Sequence, residues 1–92
     1  SFGIYIPDGP GQTITFRTSH TEARFLRDLP IHKSQKEIAS DNDSVTFSIF
    51  VSPNKALIME FCKYGGGLEV LGPESVRCQV AAELARAADL YR

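Results

Sequence analysis

The chain alternates most clearly over Ser44–Val51. Val45, Phe47, Ile49 and Val51 share one side, and Thr46, Ser48 and Phe50 share the other. A period of two predicts a half-buried strand. Thr13 to Thr18 alternates in the same way, with Ile14 and Phe16 against Thr13, Thr15 and Arg17. Two shorter stretches also read as strands: Lys36 to Ser40 around Ile38, and Leu68 to Leu71.

Between the strands the period lengthens to that of a helix. Ser19 or Thr21 is placed to cap a first helix, with Glu22 in its first turn, where the helix dipole favours an acid. Ala23, Phe25, Leu26 and Leu29 form its apolar stripe, and Pro30 stops it. The short polar side chains of Asp41-Asn42-Asp43 predict a turn. Ser52 and Pro53 are a start signal for a second helix that buries Leu57, Ile58 and Phe61. Gly65-Gly66-Gly67 is expected to end it, because glycine accepts the left-handed conformation at a helix C-terminus. Gly72-Pro73-Glu74 opens a third helix striped by Val76, Val80, Leu84, Ala87 or Ala88, and Tyr91.

The order is β-α-β-β-α-β and then a helix. It predicts an α+β domain of the split β-α-β, or ferredoxin-like, kind: an antiparallel sheet with both crossover helices on one face, plus an additional C-terminal helix. Ahead of it, the apolar Phe2-Gly3-Ile4-Tyr5-Ile6 runs into the breaker cluster Pro7-Asp8-Gly9-Pro10-Gly11. Residues 1–11 are therefore expected to be an arm or linker, and residues 12–92 the domain.

Composition narrows this picture only a little. At 92 residues, 42% hydrophobic and 23% charged, the chain suits one globular domain. Such a size buries a core with little stability to spare. The formal net charge of −1 gives no support to binding through phosphate attraction. No apolar run is long enough to cross a bilayer, and nothing at the start resembles a signal peptide. The first residue is Ser1 rather than Met, which suggests a piece of a longer protein.

Candidate chemistry is sparse. Cys62 and Cys78 form no C-x-x-C unit and have no nearby histidine, so zinc spacing is absent. Both fall in apolar helical patterns and are expected to be buried reduced thiols, in keeping with a cytoplasmic protein. There is no G-x-S-x-G and no Walker loop. Ser19-His20-Thr21 follows the first strand where acylphosphatases of this order carry a Gly-rich, Arg-ended phosphate loop. His20 and His32 are the only histidines available as bases, and each stands alone. RNA-recognition domains need a basic-Gly-aromatic run on the third strand, and Val45-Thr46-Phe47-Ser48-Ile49-Phe50 has none. No enzyme activity, cofactor or metal is expected.

Four pieces taken in order resemble a known family. They are Phe2-Gly3, then His32-Lys33-Ser34-Gln35 before the second strand, then the glycine turn with Leu68-Glu69-Val70-Leu71, then Gly72-Pro73-Glu74-Ser75-Val76-Arg77 with Tyr91 near the end. Together they resemble the C-terminal extension of WYL-domain transcriptional regulators; Lys33 stands where that family has proline. The resemblance implies a regulatory and dimerisation module, with an upstream WYL domain and helix-turn-helix in the same chain. The parent would be a bacterial, cytoplasmic transcription factor that binds DNA itself, acts as a homodimer and senses an effector such as a nucleic acid or nucleotide. His32, Ser34 and Gln35 then become candidates for contact with the effector or the neighbouring domain, or else they fix the backbone before the second strand. Arg77 is the candidate for a phosphate or acidic partner, with a salt bridge to Glu74 as its structural alternative. Arg17 and Arg24 are further candidates for a ligand-facing surface. The alternative is a stand-alone sensor of amino-acid-type small molecules on the same fold.

Overall fold

Four strands and three helices form where the hydrophobic periods change. The structure, a computed structural model, describes residues 10–92. The elements are β1 (Gln12–Thr18), α1 (His20–Asp28), β2 (Lys36–Ser40), β3 (Val45–Val51), α2 (Lys55–Cys62), β4 (Leu68–Gly72) and α3 (Glu74–Asp89). Of the expected arm, residues 1–9 lie outside the described part. Among the described residues no helix is long and apolar enough to cross a membrane.

The strands form one sheet in the order β2-β3-β1-β4, with every neighbouring pair antiparallel. β1 and β2, joined by α1, flank β3; β3 and β4, joined by α2, flank β1. β1 and β3 register Ile14 on Ile49, Phe16 on Phe47 and Thr18 on Val45. β4 adds Val70 beside Phe16 and Leu68 beside Thr18. These inner positions form a single core with Ala23 and Leu26 of α1, Leu57, Ile58 and Phe61 of α2, and Val76 and Val80 of α3. All three helices therefore cover one face of the sheet, and the other face, carrying Thr13, Thr15, Arg17, Thr46, Ser48 and Phe50, is left open by the described residues.

Local chemistry explains the boundaries. Ser19 caps α1, accepting from the Glu22 amide, while its hydroxyl and the Glu22 carboxylate also bond. The Ser19 amide donates instead to Gly67 O at 3.2 Å, which ties the start of α1 to the glycine turn. Asp41 Oδ1 accepts from the Asp43 and Ser44 amides, both at 2.8 Å, and closes the β2–β3 turn. These bonds hold its carboxyl below the usual range. Gly65 has a φ of +55°, the left-handed region that suits glycine.

Several sequence expectations are corrected. Phe25 and Leu29 are exposed rather than buried. α1 is two and a half turns long and meets the sheet along the single line of Ala23 and Leu26. Ser52 and Pro53 do not open α2; Asn54 is its cap, accepting from the Leu57 amide at 2.8 Å. α2 ends at Cys62, before the glycines, which form a short 3-10 turn over Gly65–Gly67. On α3 only Val76 and Val80 are buried; Leu84 is partly exposed, and Tyr91 is exposed beyond the helix. After two turns α3 runs along the edge of the sheet, where Ala81 and Leu84 only border β4 at Leu68–Val70. Cys62 is half-buried and Cys78 is exposed, both as free thiols. Burial pushes the Cys62 thiol up, and the Glu74 carboxylate, a hydrogen-bond partner, pushes up that of Cys78.

Candidate functional site: the loop before β2 and the open sheet face

The loop of residues 31–35 has one backbone bond of its own, from the Gln35 amide to His32 O at 3.0 Å, and is tied to the rest of the domain by side chains. The Gln35 amide group donates to Leu26 O at 2.9 Å and accepts from the Ile31 amide at 2.9 Å. It thereby ties the end of α1 to the start of the loop, and Ile31 plugs into the core. Ser34 Oγ accepts from the Phe50 amide at 2.8 Å and lies 3.3 Å from Phe50 O. β2 begins with Lys36 opposite Ser48, so position 34 falls opposite Phe50. The hydroxyl thus stands in for the ladder bond that the loop backbone does not make.

His32 lies behind Ser34. Its Nδ1 is 2.8 Å from Ser34 Oγ and 3.1 Å from the Ser34 amide, which donates to it. A ring that accepts at Nδ1 is neutral, with its proton on Nε2. Partial burial, then the nearby Lys33 charge, pulls the His32 pKa below its ordinary 6.5. The folded state therefore binds fewer protons than the unfolded state in the window below 6.5. The stability this residue contributes is complete above that value and is lost as the pH falls through the folded pKa. The stability gap between the wild type and His32→Gln in urea titrations should narrow from pH 7 to pH 5, because only the wild type loses this increment; a constant gap would refute the assignment.

The arginines gather elsewhere. Arg17 of β1 pairs with Glu69 of β4 at 2.8 Å, and Arg77 of α3 pairs with the other carboxylate oxygen at 2.9 Å. Arg77 also donates to Val70 O at 2.7 Å, capping the edge of β4. Its carboxylate partner is therefore Glu69, not the Glu74 expected from helical spacing. The two guanidiniums, Arg77 first, hold the Glu69 carboxyl below its ordinary range. All three side chains are nearly half exposed, so the trio adds little stability. Arg24 lies on the outer side of α1 and pairs with no described carboxylate.

The sequence-derived candidates therefore do not converge. His32, Ser34 and Gln35 lie at the β2–β3 edge of the sheet, Arg17 and Arg77 meet near β4, and Arg24 stands apart. Sequence reasoning passed over the residues of the open face next to Ser34: Thr13, Lys36, Ser48 and Phe50. With Ser34 and Ile49 they line a cavity of about 280 Å³. The available signal was Phe50, an aromatic on the polar side of an otherwise clean alternation.

Set against known families, residues 10–88 match the model of the WCX domain. The chain belongs to the WCX family. WCX is the C-terminal domain of WYL-containing regulators, as the four ordered pieces of sequence suggested. No curated protein matches the chain. The matched region of this WCX domain runs through all four strands and nearly to the end of α3. It includes the 31–35 loop, the Arg17–Glu69–Arg77 trio and the whole open face.

Proposed function

We propose that this WCX domain is a non-enzymatic module for dimerisation and effector response in a WYL-type bacterial transcription regulator. The observation that carries the reading is the family match over residues 10–88. In it, an upstream helix-turn-helix in the same chain reads DNA, the WYL domain lies between, and the parent acts as a cytoplasmic homodimer. The sheet order, with each crossover spanning one intervening strand, supports a ferredoxin-like module carrying α3 as an addition.

The 31–35 loop fits a contact with the neighbouring domain better than a free ligand site. Most of its polar atoms already hold backbone groups, so it offers a preorganised edge rather than unspent bonds. The experiment is on the parent gene. Translation upstream of Ser1 is expected to give a helix-turn-helix followed by a WYL domain. Removing residues 12–92 from the parent is expected to abolish its effector response. A reading frame with neither upstream domain, or a deletion that leaves the response intact, would sink the proposal.

A further inference from the structure

Around the β1–β3 pair the open face carries Thr13, Thr15, Arg17, Thr46 and Ser48, and one aromatic, Phe50. Thr13, Thr15, Thr46 and Ser48 surround Phe50, which is 58% exposed. The ring is not loose. The Ser34 hydroxyl holds the Phe50 amide, and the backbone of Gly11 passes so close that a Cβ there would lie 2.6 Å from the ring. One side of the ring is thus backed by main chain, and the cavity of about 280 Å³ opens beside it.

Ser48 lies in that cavity. It is 5% exposed, and its cross-strand partners Thr15 and Lys36 put its side chain on the open face. Its hydroxyl bonds no described residue, yet it is not sealed inside the protein as the Thr18 hydroxyl is. The hydroxyl faces the cavity and can bond water or a molecule that enters there. At the rim, the Lys36 ammonium makes no ion pair with a described residue, and neither does Arg24 on α1. Among the described residues, no carboxylate lines the cavity.

An aromatic wall, a hydroxyl floor and an unspent ammonium select one kind of occupant. We propose that the cup formed by Phe50, Ser48, Thr13 and Lys36 binds a planar aromatic anion of one or two rings. The ring stacks on Phe50, where offset stacking adds to apolar burial. The anionic group meets Lys36, and a ring nitrogen or oxygen, where the ring carries one, accepts a hydrogen bond from the Ser48 hydroxyl. A saturated anion leaves Phe50 uncovered, and a neutral ring leaves Lys36 unused. The cup lies at the small end of ligand-pocket sizes, which limits the ring count. This inference stands independently of the regulatory reading.

The test is an amide NMR titration of the 92-residue chain. The probes are 2-naphthoate and adenosine 5′-monophosphate, which share a planar aromatic ring and an anionic group, the nucleotide adding ring nitrogens as acceptors. Cyclohexanecarboxylate and inorganic phosphate are the controls. At least one aromatic probe should move the amides of Thr13, Ser34, Lys36, Ser48 and Phe50 to saturation while the controls do not; the tighter probe identifies the source. Phe50→Leu and Lys36→Gln should each weaken binding about fivefold, and Phe50→Tyr should preserve it. Both weakened positions are exposed, and their spectra report whether the fold is kept. Failure of both aromatic probes to saturate, equal binding of cyclohexanecarboxylate, shifts centred elsewhere, or unchanged affinity in folded Phe50→Leu would each overturn the proposal. None of these outcomes bears on the upstream reading frame.

Discussion

Phe16→Ala should leave the domain barely folded, losing about 3–5 kcal/mol. Phe16 is wholly buried on β1, a central strand with β3 on one side and β4 on the other. Its ring stacks on Phe47 with centroids 5.5 Å apart and meets Phe61 of α2 at 5.3 Å. It therefore joins the middle of the sheet to the helix layer, and deletion leaves a cavity walled by residues that β-pairing holds in place. A domain of this size has total stability toward the lower end of about 5–15 kcal/mol. The midpoint of thermal unfolding, followed by circular dichroism, should fall by about 12–40 °C, taking about 4–8 °C per kcal/mol. Phe50→Ala removes the same ring from the open face and should cost less than about 1 kcal/mol. Equal losses for the two variants would contradict the assignment of inner and outer faces.

Gln35→Ala is expected to have the next largest effect, about 2 kcal/mol, because it removes two hydrogen bonds and strands both partners. The Leu26 carbonyl at the end of α1 loses its donor, and the Ile31 amide loses its acceptor. Ile31 is a core residue, so the loss reaches beyond the loop. Gln35→Glu separates the two contributions: it keeps an acceptor for Ile31 but faces the Leu26 carbonyl with a second oxygen. It should be no more stable than Gln35→Ala, despite its closer shape. Urea unfolding gives the free energies, and faster exchange of the Ile31 amide locates the change. A loss under about 0.5 kcal/mol in Gln35→Ala would reduce the residue to an ordinary surface side chain.

The strands were legible in the sequence because a half-buried strand writes its two faces into alternate residues. Val45, Phe47, Ile49 and Val51 were placed on one side from pattern alone, and all four are buried. The helices were less legible. An apolar stripe says which side of a helix faces inward, but not how much of that side another element reaches. Phe25, Leu29 and Tyr91 fall on apolar stripes and remain exposed because α1 is short and α3 ends before Tyr91. The capping of α2 was misplaced by two residues because Ser52-Pro53 and Asn54 are both good start signals. The difference lies in the Asn54 side chain reaching the Leu57 amide.

The candidate site was legible by residue type and not by partner. Helical spacing put Glu74 within reach of Arg77, but Glu69 holds it. Between elements, the paired groups are close because of register, and register is not written locally. The same limit hid the cup, since Thr13, Lys36 and Ser48 become neighbours only once β1, β2 and β3 are aligned.

By itself the sequence determined the order of elements, which strand residues share a side and, through four short pieces in order, the family. Each depends on neighbours along the chain: a period, a cap or a motif. The tertiary structure alone decided the strand order and the meetings between distant positions. Ser34 reaches Phe50 across 16 residues, and Arg17 reaches Glu69 across 52. Such contacts follow from crossovers and cross-strand register, which the whole core sets cooperatively, so no local stretch of the chain encodes them.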